Sequence, residues 1–160
     1  MTPSINPTFE CDMGQTLSSG CTEDLNRFNF CLDLSIETST DAGVNPRAVV
    51  QDAAARWEAV LNEGPPTATW TQAQLNALPQ QCSCRLNVGD PIDDIYVCVY
   101  KEYIDGPGGV AGIGGTISSR TFPGTTIVGF IKIDSADLPT MEEDVLNDVM
   151  THELGHSLGT

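Results

Sequence analysis

Ile95-Tyr-Val-Cys-Val-Tyr100 is a nearly unbroken apolar run with neither helical nor alternating periodicity. A short run of that kind reads as a strand buried on both faces, in the middle of a sheet. Around it the signals alternate between strand and helix. Phe28-Asn-Phe-Cys-Leu-Asp-Leu-Ser-Ile36 alternates apolar and polar residues, which predicts a half-buried strand. Asn45-Pro46 opens a helix with proline at its first position. Val49, Val50, Ala53, Ala54, Trp57, Val60 and Leu61 form its apolar stripe, and Gly64-Pro65-Pro66 ends it. Trp57 reads as a core residue. Thr71 to Leu78 fits a short helix and Cys84 to Val88 a short strand.

Gly106-Pro-Gly-Gly-Val-Ala-Gly-Ile-Gly-Gly115 resembles a phosphate loop only in its glycines. No lysine follows them and no helix pattern starts there, so the stretch reads as a turn leading into an edge strand. Thr126 to Ile133 is a further strand, and Asp134 to Pro139 a turn. Asp134 and Asp137 read as turn and cap residues rather than calcium ligands, since the other ligands of a calcium loop are not evident. Thr140-Met-Glu-Glu143 has the pattern of a capping box, which predicts a helix from about residue 141 to 158. The expected whole is one α+β domain, with residues 1–24 as a loop-rich, cysteine-containing arm and 25–160 as the folded body.

Composition narrows the partners. The net charge is −15, with 7 Lys and Arg residues against 22 Asp and Glu. Such a chain repels phosphate backbones and anionic membrane surfaces, so nucleic acid is excluded as an expected partner. No apolar run is long enough for a transmembrane segment, and the first ten residues lack the basic and apolar regions of a signal peptide. Six cysteines, Cys11, Cys21, Cys31, Cys82, Cys84 and Cys98, nevertheless point to disulfides and an extracellular or cell-surface setting. Cys82 and Cys84 stand too close to pair with each other, and the spacing fits no cysteine zinc ribbon. A fragment or an incomplete gene model would reconcile the cysteines with the missing leader.

The chemistry is concentrated at the end of the sequence. The chain has 2 histidines, His152 and His156, in the string His152-Glu-Leu-Gly-His156-Ser-Leu-Gly159-Thr160. Residues i and i+4 of a helix share a face, so the two imidazoles form a pair of metal donors suited to zinc. Glu153, beside the first of them, is placed to act as general base on a water activated by that ion. A glycine three positions after the second histidine permits a sharp exit from the helix.

From about Phe28 onward the chain resembles a leishmanolysin-like metallopeptidase, a branch of the metzincins. Pro91-Ile-Asp-Asp94, Ile104-Asp-Gly-Pro-Gly-Gly109, Gly129-Phe-Ile-Lys-Ile-Asp-Ser-Ala-Asp-Leu138 and Asp148 to Gly159 carry the likeness. It implies a metzincin-like upper subdomain: a twisted mixed sheet, a backing helix near 46–62 and an active-site helix. It also implies a zinc endopeptidase acting on polypeptides, with substrate along an antiparallel edge strand near Val110–Ser118. In that family a third histidine and a methionine-containing turn lie further along the chain; neither occurs by Thr160, so the expectation is an incomplete and, by itself, inactive catalytic domain. Two other readings compete: a non-catalytic secreted binding or adhesion module, against which the intact Glu153 argues, and a zinc peptidase with glutamate as third ligand, against which Gly159 argues. The substrate, the oligomeric state and the control of latency have no signature in the sequence.

Overall fold

The structure is a computed structural model, and it describes residues 16–17, 21, 27–61, 63–82, 86–122 and 124–160. In chain order the elements are β1 (Thr16–Leu17), β2 (Phe30–Ser35), α1 (Pro46–Val60), β3 (Ala68–Thr69), α2 (Gln72–Ala77), β4 (Pro91–Ile92), β5 (Ile95–Glu102), β6 (Gly112–Ser119), β7 (Thr126–Asp134) and α3 (Glu143–Ser157). Five strands form one mixed sheet in the order β1-β2-β5-β7-β6, while β3 and β4 pair separately. β2, β5 and β7 run parallel; β1 and β6 are antiparallel to their neighbours. The α+β class and the central position of β5 match the sequence reading.

β5 is central because both its faces find cover. Ile95, Val97 and Val99 join α1 and α3 in one apolar cluster. Tyr96, Cys98 and Tyr100 face a second cluster built from Trp70, Leu75, Leu78, Leu86 and Ile92. This second layer corrects the reading of β2 as half-buried. Its polar positions lie under that layer, and Asp33 is fully buried. The Tyr96 hydroxyl donates to Asp33 Oδ2. Burial and the adjacent carboxylate push the Tyr96 phenol well above its ordinary range.

The helices begin and end for local reasons. Asn45 caps α1 by accepting from the Ala48 amide, and Pro46 occupies the first turn. Thr71 and Gln74 make a reciprocal capping box at α2. The box expected at Thr140 does not form. Thr140 closes a 3-10 turn over Leu138–Thr140, Met141 turns into the core, and α3 starts after Glu142 with no side-chain cap. Glu143 and Asp144 still place negative charge at the positive end of the helix dipole. Leu86 to Val88 form no strand, and residues 83–85 of that expectation lie outside the described set.

Disulfides join Cys21 to Cys31 and Cys82 to Cys98. Cys82 therefore reaches a partner other than Cys84, as the spacing required; Cys84 and Cys11 lie outside the described residues. Among the described residues no helix is long and apolar enough to cross a membrane.

Candidate metal centre

α3 lies on the sheet by virtue of glycines. A Cβ on Gly114 would stand 2.3 Å from the main-chain oxygen of Glu153, and one on Gly129 would stand 3.1 Å from Ser157 Cβ. At Gly112 it would meet Val149 Cγ1 at 3.0 Å. At Gly114 backbone thus meets backbone, while at Gly129 and Gly112 the strand backbone meets side chains of the helix. The sequence reading had placed the glycines of 106–115 in a turn entering an edge strand. Both parts are found, with β6 at the sheet edge, but the strand glycines have this additional packing role.

The helix is clamped from its other flank by α1. Trp57 Nε1 donates to the Thr151 carbonyl at 2.9 Å, next to His152. A Cβ on Gly155, inside the histidine motif, would stand 3.1 Å from Trp57 Cζ2. Trp57 is thus partly buried core, as expected, and also fixes the turn that carries the histidines. On the sheet side, Ser157 Oγ donates to Phe130 O at 3.1 Å. Leu146, Met150 and Leu154 are completely buried beneath the helix.

His152 and His156 project from the opposite, exposed face of α3. Their Nε2 atoms lie 3.0 Å apart. Two nitrogens each about 2.0–2.1 Å from one tetrahedral zinc stand about 3.3 Å apart, so the pair is close to the required bite. His156 Nδ1 lies 2.9 Å from the Thr160 main-chain oxygen. An oxygen of that kind only accepts, so Nδ1 carries the proton and a neutral His156 presents Nε2 with its lone pair. The turn that brings Thr160 there is a Schellman motif. Gly159, at φ +92, donates to His156 O, and the Thr160 amide donates to Gly155 O. The sharp exit that the sequence permits at this glycine is the one found.

Glu153, 8% exposed, leaves the helix on the sheet side. Its Oε2 accepts from the Gly114 amide at 2.6 Å. The three predicted site residues thus fall on one stretch of α3, with the carboxylate anchored to the edge strand. Among the described residues no third His, Cys, Asp or Glu joins the two imidazoles as a metal group.

The two aspartates of the turn before α3 hold the glycine-rich loop. Asp134, buried, accepts from the amides of Asp105, Gly106 and Ala136. Burial raises its pKa, but these amides outweigh that and hold it below the usual carboxylate value. Asp137 accepts from Gly108 N, and Asp105 from Val110 N. Of the turn-and-cap reading only the Asp134–Ala136 bond is turn chemistry; Asp137 makes no cap bond, and the other bonds reach across to the glycine-rich loop. At the far end of β6 the buried Arg120 guanidinium donates to the carbonyls of Pro66, Thr126 and Asp94. Both ends of the edge strand are therefore fixed. Compared in sequence, the chain matches no protein-family model and no curated protein.

Proposed function

We propose that the chain is a zinc-dependent endopeptidase domain of the leishmanolysin-like metzincin kind, with His152 and His156 as metal ligands and Glu153 as general base. The observation that carries this reading is the pair of exposed Nε2 atoms 3.0 Å apart, with the carboxylate of the residue next to His152 in sequence anchored to the edge strand. The mixed sheet, with α1 and α3 on one face and antiparallel β6 at its edge, supports a metzincin-like upper subdomain. Zinc, when bound, supplies Lewis-acid polarisation of a peptide carbonyl and lowers the pKa of its water to about 7.

The rest is done by the protein. With Oε2 held by Gly114, Oε1 of Glu153 is the oxygen that takes the proton of the attacking water and returns it to the departing amine. The open side of β6 offers main-chain partners to an extended polypeptide, which would add as a further strand. A catalytic zinc takes three protein ligands, and the third is assigned to a group outside the described residues. The disulfides support a secreted or surface-facing setting.

In the metal-loaded enzyme Glu153→Gln keeps the shape and removes the base. Hydrolysis of an unstructured polypeptide should fall on the order of 10²–10⁴-fold, with the zinc content by atomic absorption unchanged. Near-normal turnover in this variant would refute the assignment. His152→Ala and His156→Ala should each release the zinc.

A further inference from the structure

We infer that the main-chain amide of Gly114 is a positioning donor for Glu153, and that this divides the open edge of β6 between the base and a bound peptide. The inference rests on the peptidase reading above. β6 is paired with β7 on one side only. The Ala111 carbonyl accepts from the Asp134 amide, so the residues in step with Ala111 turn their hydrogen-bonding groups towards β7. By the alternation of an antiparallel ladder, the amides of Gly112, Gly114 and Thr116 point outward. Of these, Gly114 is already committed at 2.6 Å to Glu153 Oε2. A bond to an ionised carboxylate is among the stronger hydrogen bonds a backbone amide makes.

Position 114 is glycine for the same reason. The Glu153 backbone occupies the space of a Cβ there, at 2.3 Å from its main-chain oxygen, and that close approach brings the carboxylate within reach of the amide. With one oxygen fixed, the plane and direction of the carboxylate are set. A peptide adding to the edge then finds donors at Gly112 and Thr116. The peptide carbonyl that comes opposite Gly114 finds its donor in use, and is the one left for reaction beside Glu153. Gly114 thus sets both the aim of the base and the register of the peptide, without touching the reacting atoms.

Amide hydrogen exchange on the whole protein tests the first half with no need for activity. The Gly114 amide should exchange slowly, and those of Gly112 and Thr116 fast. In Glu153→Ala, Gly114 exchange should rise on the order of 10-fold or more while the β5–β7 ladder stays protected. An unprotected Gly114 amide in the unaltered protein, or one insensitive to Glu153→Ala, would overturn the inference. The second half is tested by replacing single backbone amides with esters, which delete N–H and add no side chain. In the metal-loaded enzyme the ester at 114 should lower kcat with KM retained. Esters at 112 and 116 should raise KM with kcat retained. An ester at 114 that raised KM alone would show that this amide binds peptide instead, and would overturn the assignment. If a protein extended to include the third ligand, loaded with zinc, hydrolyses no peptide, the peptidase reading fails, and the exchange experiment alone decides the role of Gly114.

Discussion

Gly114→Ala is the sharpest perturbation of this fold. The added carbon would lie 2.3 Å from Glu153 O and 2.9 Å from Glu153 C. A carbon–oxygen contact of this type relaxes to about 3.3 Å, so strand and helix must separate by about 1 Å. Neither side yields easily. β6 is laddered to β7, and α3 is held by Ser157 on Phe130 O and by the buried Leu146, Met150 and Leu154. Overpacking of this sort costs about 1–3 kcal/mol. Separation also stretches the Gly114–Glu153 bond, a charge-assisted bond worth about 1.5–3 kcal/mol. Together the loss is about 2.5–6 kcal/mol, which at about 2–4 °C per kcal/mol lowers Tm by roughly 5–25 °C. Gly112→Ala is the control. Its new carbon meets the side-chain ends of Val149 and Ile133 at 3.0 and 3.1 Å, which can turn aside. It should cost about 1 kcal/mol. Urea and thermal unfolding of both variants give the comparison. A Gly114→Ala protein as stable as Gly112→Ala would refute the idea that backbone contact between β6 and α3 holds the site.

Trp57→Phe keeps a ring against Gly155 but loses the bond to Thr151 O, and should cost about 1 kcal/mol in urea unfolding; no change would remove Trp57 from the clamp. Asp134 has a depressed pKa in the folded state, so its contribution is present above the unfolded value near about 3.9 and is lost as pH falls through the folded pKa. Stability should therefore drop on acidification below about pH 4, and Asp134→Asn should flatten that drop in pH-dependent denaturation. Tyr96 has a raised pKa, so with Tyr100 and the exposed Tyr103 replaced by Phe, alkaline difference spectra should show a phenolate only when the protein unfolds; tyrosinate formation in the folded form of that variant would contradict the burial of Tyr96 beside Asp33. Residues 1–160 alone should bind zinc weakly, because the described residues offer two imidazoles and no third donor beside them. Tight one-to-one binding by calorimetry would place a third donor elsewhere in the chain or in a second copy.

The parts of this structure legible in the sequence are those written locally. The run at Ile95–Tyr100 reads as an interior strand, Asn45-Pro46 as a helix start, and the spacing of His152 and His156 puts both on one helical face. Gly159 likewise permits the sharp exit from the helix that is found there. The misreadings come from partners distant in the chain. Asp33 looks like a solvent-facing position in an alternating strand until Tyr96 and the layer containing Trp70 are placed over it. Thr140 has the right sequence for a cap, but the 3-10 turn beginning at Leu138 takes it out of register with α3. The glycines at 112 and 114 signal either a turn or a close approach, and only the position of α3 decides between them. For the same reason the tie between Gly114 and Glu153 has no local signature.

The burial of the second disulfide constrains the order of events in folding. Cys82 and Cys98 are both fully enclosed, one in the layer over the sheet and the other in the strand at its centre. The bond closes a loop with a sequence separation of 16, whereas β2, β5 and β7 must find one another across long stretches of chain. Small loops close in about 10–100 ns, but oxidation takes seconds to hours. An oxidant must therefore reach these sulfurs before the layer seals, and a chain that closes first would trap two thiols out of its reach. Once made, the bond is equally out of reach of a reductant. Its half-life in a reducing medium is then set by the rate at which the whole domain opens rather than by the strength of the reductant.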